Sequence, residues 1–84
     1  MKEYTILYRD TKNNFTIGIC ELKLLIINDI IHKNIFLASD FFKSEIKINL
    51  FLEDNVINLF LSEDINNIKL GKEIIKQKIE KLNG

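Results

Sequence analysis

The chain has 84 residues, 46% of them apolar and 29% charged, with twelve basic side chains balancing twelve acidic ones to a formal net charge of zero. That apolar content marks a globular chain rather than a disordered one, and a single domain spanning 1–84 is expected, small enough that only about 60% of the unfolded surface is buried on folding. Zero net charge argues against a general electrostatic grip on a phosphate backbone or an anionic membrane.

Composition is biased in another way. Ile, Asn and Lys dominate, while Pro and Trp are missing and Gly is scarce. This is the signature of AT-rich codons, so abundant Asn and Lys do not by themselves signal chemistry, and the bias is compatible with a phage, plasmid or accessory-genome protein. One cysteine, Cys20, allows neither an intramolecular disulfide nor a cysteine-based zinc site within one chain, which fits a reducing compartment. The first residues alternate apolar and polar at once, unlike a secretion signal, and the apolar runs are broken by Lys23, Asn28 and Asp29 well short of a membrane span. The expectation is a cytoplasmic protein that does not engage a membrane, in which Asn14-Phe15-Thr16 is a chance glycosylation tripeptide.

In chain order, residues 3–9 alternate Tyr4, Ile6 and Tyr8 with Thr5 and Leu7, and residues 15–20 alternate Phe15, Ile17 and Ile19 with Thr16 and Gly18. With Asp10 to Asn14 as a polar link, the two form an N-terminal antiparallel hairpin whose aromatic row faces a core. Residues 22–37 read as a further hairpin turning at Asn28-Asp29 or as a helix, because Leu22 to Ile27 is apolar on both strand faces and periodicity does not separate the two. Ala38 to Lys43 has loop or short-helix character, and Phe41 and Phe42 need burial.

Residues 45–53 and 56–62 read as a second hairpin. Ile46, Ile48, Leu50 and Leu52 alternate with Lys47, Asn49 and Phe51, and Ile57, Leu59 and Leu61 alternate with Asn58 and Phe60. A two-residue turn at Asp54-Asn55 would set Leu52 opposite Ile57, Leu50 opposite Leu59 and Ile48 opposite Leu61. The reverse face then gathers Phe51, Val56 and Phe60 beside Asn49 and Asn58, an apolar patch that calls for cover by another element or a partner. After a polar linker from Ser62 to Asn67, residues 72–82 read as an amphipathic helix with the stripe Ile74, Ile75, Ile79 and Leu82, preceded by Gly71 and stopped by Asn83-Gly84. The fold class is therefore α+β: a small antiparallel sheet of hairpins covered by a C-terminal helix.

Chemistry is sparse. His32 is the only histidine, and with Asp29 alone it makes a weak metal shell; Cys20 lacks the third group that would orient a nucleophile and base. Glu53-Asp54 and Glu63-Asp64 sit where turns and helix starts use acidic residues. No phosphate-cradling glycine loop, nucleophile elbow or metal-binding helix motif is present. The chain is thus expected to be non-enzymatic, with no catalytic residue, cofactor or metal: a protein-interaction module such as an inhibitor, adaptor or small subunit, using Phe51, Val56, Phe60, Asn49 and Asn58, and forming a homodimer or a heteromeric complex. The alternative is a small nucleic-acid-binding regulator. Lys69, Lys72, Lys76, Lys78 and Lys81 leave the C-terminal segment at net +3 over Glu73 and Glu80, although a single arginine weakens any reading of bases.

Overall fold

The computed structural model describes residues 1–11, 14–22, 24–32 and 46–83. Among these residues five strands and two helices follow in the order β1 (Lys2–Asp10), β2 (Phe15–Ile19), β3 (Leu24–Ile27), β4 (Ile30–His32), β5 (Ile46–Leu52), α1 (Asp54–Leu61) and α2 (Ile65–Asn83), with one 3₁₀ turn at Cys20–Leu22 between β2 and β3. All neighbours in the sheet are antiparallel, and its order is β4-β3-β2-β1-β5. This is the expected α+β architecture of an antiparallel sheet with a C-terminal helix packed on it.

The N-terminal hairpin pairs Ile6 with Ile19 and Tyr8 with Ile17, closed by reciprocal backbone hydrogen bonds between Thr11 and Asn14. Period-two alternation puts Tyr4, Ile6, Tyr8, Ile17 and Ile19 on one buried face, as the aromatic row implied. Of the two readings for residues 22–37, the hairpin is the one observed as far as His32: Asn28 and Asp29 both take positive φ, 51° and 67°, the conformation of a type I′ turn that Asn and Asp tolerate. The expectations for residues 33–37 and for Phe41 and Phe42 lie outside the described residues.

The second expected hairpin does not form. Residues 56–62 are not a strand: Asp54 to Leu61 is helical, and β5 pairs with β1 instead, Leu50 opposite Tyr4 and Ile48 opposite Ile6. The two periods compete over this short apolar run. Ile57, Leu59 and Leu61 alternate, but Val56, Ile57 and Phe60 also fall one helical turn apart, and these are the three that α1 buries. Glu53 and Asp54, read as turn residues, serve a helix start. The Glu53 carbonyl accepts the Val56 and Ile57 N–H groups at 3.0 and 3.3 Å, and the Asp54 carboxylate lies at the positive end of the helix dipole.

The C-terminal helix is longer than expected, because the polar stretch thought to be a linker supplies its cap. Asp64 Oδ1 accepts the Asn66 N–H at 2.8 Å and the Asp64 carbonyl accepts that of Ile68 at 2.9 Å. Ahead of it, Glu63 at φ 61° turns the chain between the helices. The buried stripe is Ile68, Gly71, Ile75 and Ile79, with Ile74 at its margin, whereas Leu82 lies beyond the core with 65% of its surface exposed. Gly71 is not ahead of the helix but inside it, against the ring of Phe60. One apolar cluster joins the inner face of the sheet to Val56, Ile57 and Phe60 of α1 and Ile68, Ile75 and Ile79 of α2, so both helices cover the same face.

Candidate interaction surface

The five expected interaction residues divide three ways. Phe51 and Asn49 lie on the sheet face opposite the helices, both exposed, with the Thr5 hydroxyl donating to Asn49 Oδ1 at 3.1 Å. Val56 and Phe60 are core residues, 4% and 0% exposed, and Asn58 is on the solvent side of α1. The expected patch of Phe51, Val56 and Phe60 therefore does not exist, because Val56 and Phe60 belong to a helix packed on the inner face rather than to a strand presenting the outer one.

A different surface takes its place. β5 is an outermost strand of the sheet, paired along seven residues with β1 and carrying no further strand on its other side among the described residues. Alternate N–H and C=O groups of an antiparallel strand point away from its one partner, so among the described residues the far side of β5 presents a ladder to which another strand can add. Two large apolar side chains flank that ladder, one on each sheet face: Ile46, 54% exposed, on the inner row and Phe51, 56% exposed, on the outer row. At the opposite side of the described sheet lies β4, Ile30–His32. No sequence signal separates an edge strand from a central one here, since the status of β5 follows from which strands β1 accepts.

The five lysines also divide. Lys69, Lys72 and Lys76 line a hollow of about 220 Å³ with Phe15, Asp29 and Glu73. Lys72 Nζ donates to Asp29 Oδ1 at 3.0 Å, Lys69 Nζ is 3.9 Å from Asp29 Oδ2, and Lys76 Nζ stands 5.9 Å from the centre of the Phe15 ring. At about 100° per residue, Lys78 and Lys81 fall roughly 120–180° around the helix from Lys69, on the other flank. The single lysine face is thus two smaller ones, and the first has Asp29 and Glu73 set among its charges. The role of Asp29, tying the β3–β4 turn to α2, spans 43 residues and has no local sequence sign.

A second hollow of about 350 Å³ lies between β4 and the start of α2, lined by Asp29, Ile30, Ile31, Glu63, Ile65 and Ile68. His32 ends β4 in an exposed position, and Cys20 is partly exposed at the 3₁₀ turn. Among the described residues no three His, Cys, Asp or Glu side chains are grouped to hold a metal ion, and no helix is long and apolar enough to cross a membrane. Lys2 Nζ meets Glu21 Oε2 at 2.8 Å, and this hydrogen bond, then the carboxylate charge, raises the Lys2 pKa above its ordinary value. Both partners are well exposed, so the pair adds little to stability. Comparison of the chain with protein-family models, curated proteins and solved structures finds no match.

Proposed function

We propose that this protein is a non-enzymatic protein-interaction module, an inhibitor, adaptor or small subunit, that engages its partner by strand addition at the edge of β5. The observation that carries the reading is the seven-residue β5 edge with Ile46 and Phe51 exposed on either side of it. In such recognition the backbone ladder supplies affinity and alternate side chains supply specificity. Lys47, Asn49 and Phe51 would be read on one face of the added strand, Ile46 and Ile48 on the other. A lone cysteine favours action in a reducing cytoplasm.

The nucleic-acid alternative draws less support, because its five lysines occupy two flanks and Asp29 takes up Lys72. The interaction reading is tested by affinity capture with the wild-type chain and with Phe51→Lys and Asn49→Lys, each first shown to be folded by circular dichroism. A captured protein, once purified, should bind wild type at least tenfold more tightly than either variant. Equal binding to all three chains would refute it, as would no specific capture by a chain that also does not self-associate.

A further inference from the structure

We infer that the strand added to β5 is β5 of a second copy of this chain, paired antiparallel about a twofold axis at Asn49. The inference rests on the β5-edge reading and names its partner.

The self-complementarity can be read residue by residue. Antiparallel pairing centred on Asn49 is the one twofold register that matches all seven described residues of β5, setting Ile46 against the partner copy's Leu52, Lys47 against its Phe51, Ile48 against its Leu50, and Asn49 against its own twin. On the inner face every pair is apolar on apolar. On the outer face each Lys47 ammonium meets an aromatic ring rather than another cation, so the lysine that would discourage indiscriminate edge pairing is accommodated in this register. Asn49 Oδ1 already takes the Thr5 hydroxyl at 3.1 Å, and its NH₂ group is then placed to donate across the axis. The two exposed apolar residues of the edge, Ile46 and Phe51, both gain a cross-strand neighbour. A register centred on Leu50 would leave Ile46 without a strand partner and set Phe51 against Asn49. Pairing also closes, because a twofold contact uses the β5 edge of both copies at once. The product is a dimer in which the two sheets run on as one.

Sedimentation equilibrium of the full chain at several hundred micromolar should give the mass of two chains. Phe51→Lys, which replaces both Lys47–Phe51 pairs by Lys–Lys pairs, should weaken the dimer at least tenfold while the circular dichroism spectrum is retained. Register is tested in a Cys20→Ser background. Across the axis the two residues at position 49 lie about 4.5–5.5 Å apart at Cα, within disulfide range, so Asn49→Cys should oxidise to a covalent dimer. The two residues at position 47 lie about 14 Å apart, so Lys47→Cys alone should not, whereas a mixture of Lys47→Cys and Phe51→Cys chains should form the mixed disulfide. A single-chain mass at these concentrations overturns the inference, as does a dimer in which Asn49→Cys links no faster than Lys47→Cys or which Phe51→Lys leaves intact. A monomer that still captures a partner lost in Phe51→Lys overturns self-pairing alone; failure of both experiments removes the edge reading as well.

Discussion

Gly71→Ala provides a test of the packing in which two effects oppose each other in sign. In the interior of an exposed helix the substitution stabilises by about 0.8–1.0 kcal/mol, because alanine has less backbone entropy to lose. Gly71, however, is buried, and a Cβ built there would lie 2.9 Å from both Cε2 and Cζ of Phe60 and 3.3 Å from Cε1, where ordinary contacts begin at 3.4 Å. Three ring atoms are crowded at once, and Phe60 is fully buried, so the ring has no solvent-side rotamer to take up. The two helices must separate or the ring must push into the sheet, and overpacking of this kind costs about 1–3 kcal/mol. With the ring confined on all sides the upper half of that range applies, leaving a net loss of about 1–2 kcal/mol after the helix gain. For a domain of this size that lowers the thermal midpoint by roughly 5–15 °C. The assay is thermal and urea denaturation of Gly71→Ala alone and combined with Phe60→Leu, which removes the crowded ring. In the Phe60→Leu background the alanine should become neutral or stabilising, giving a coupling of at least about 1 kcal/mol. A single Gly71→Ala variant as stable as wild type, or more so, would refute the close approach of α1 and α2 at this point.

Three further outcomes are expected. Asp29→Asn keeps a residue that tolerates the positive φ of the β3–β4 turn but removes the charge from Lys72, whose side chain is only 12% exposed; stability in urea should fall by about 1 kcal/mol, with the difference shrinking as salt is added. Asp64→Ala deletes the side-chain cap of α2 and should cost about 1 kcal/mol, while Asp64→Asn, which keeps a capping oxygen, should recover most of it in the same denaturation assay. Fluorescence anisotropy with duplex and single-stranded oligonucleotides at low salt should show no binding at tens of micromolar protein; salt-sensitive binding lost on joint replacement of Lys69 and Lys76 would instead revive the nucleic-acid alternative.

Much of the fold is legible in the order of the residues because it is decided locally. Alternation in residues 2–10 and 15–19, the turn chemistry of Asn28-Asp29, and the apolar spacing of Ile75 and Ile79 each express a preference of a few neighbouring residues, and tertiary packing agrees with them. Residues 54–61 are different, since eight residues rich in Val, Ile, Leu and Phe satisfy a period of two and a period of 3.6 equally, and Asp54-Asn55 opens a helix as readily as it turns a hairpin. What settles the matter lies some 45 residues away. β1 offers β5 a seven-residue antiparallel partner, from Lys2 opposite Leu52 to Tyr8 opposite Ile46, so β5 has no need of a following strand, and the apolar side of 54–61 is better buried as a helix over the inner face. The same long-range pairing converts Val56 and Phe60 from candidate surface to core, moves Asp29 beside Lys72, and leaves β5 at an edge. A candidate site built from sheet order and from contacts between distant segments has no local pattern to announce it, because its energy comes from pairings that no short window of sequence contains.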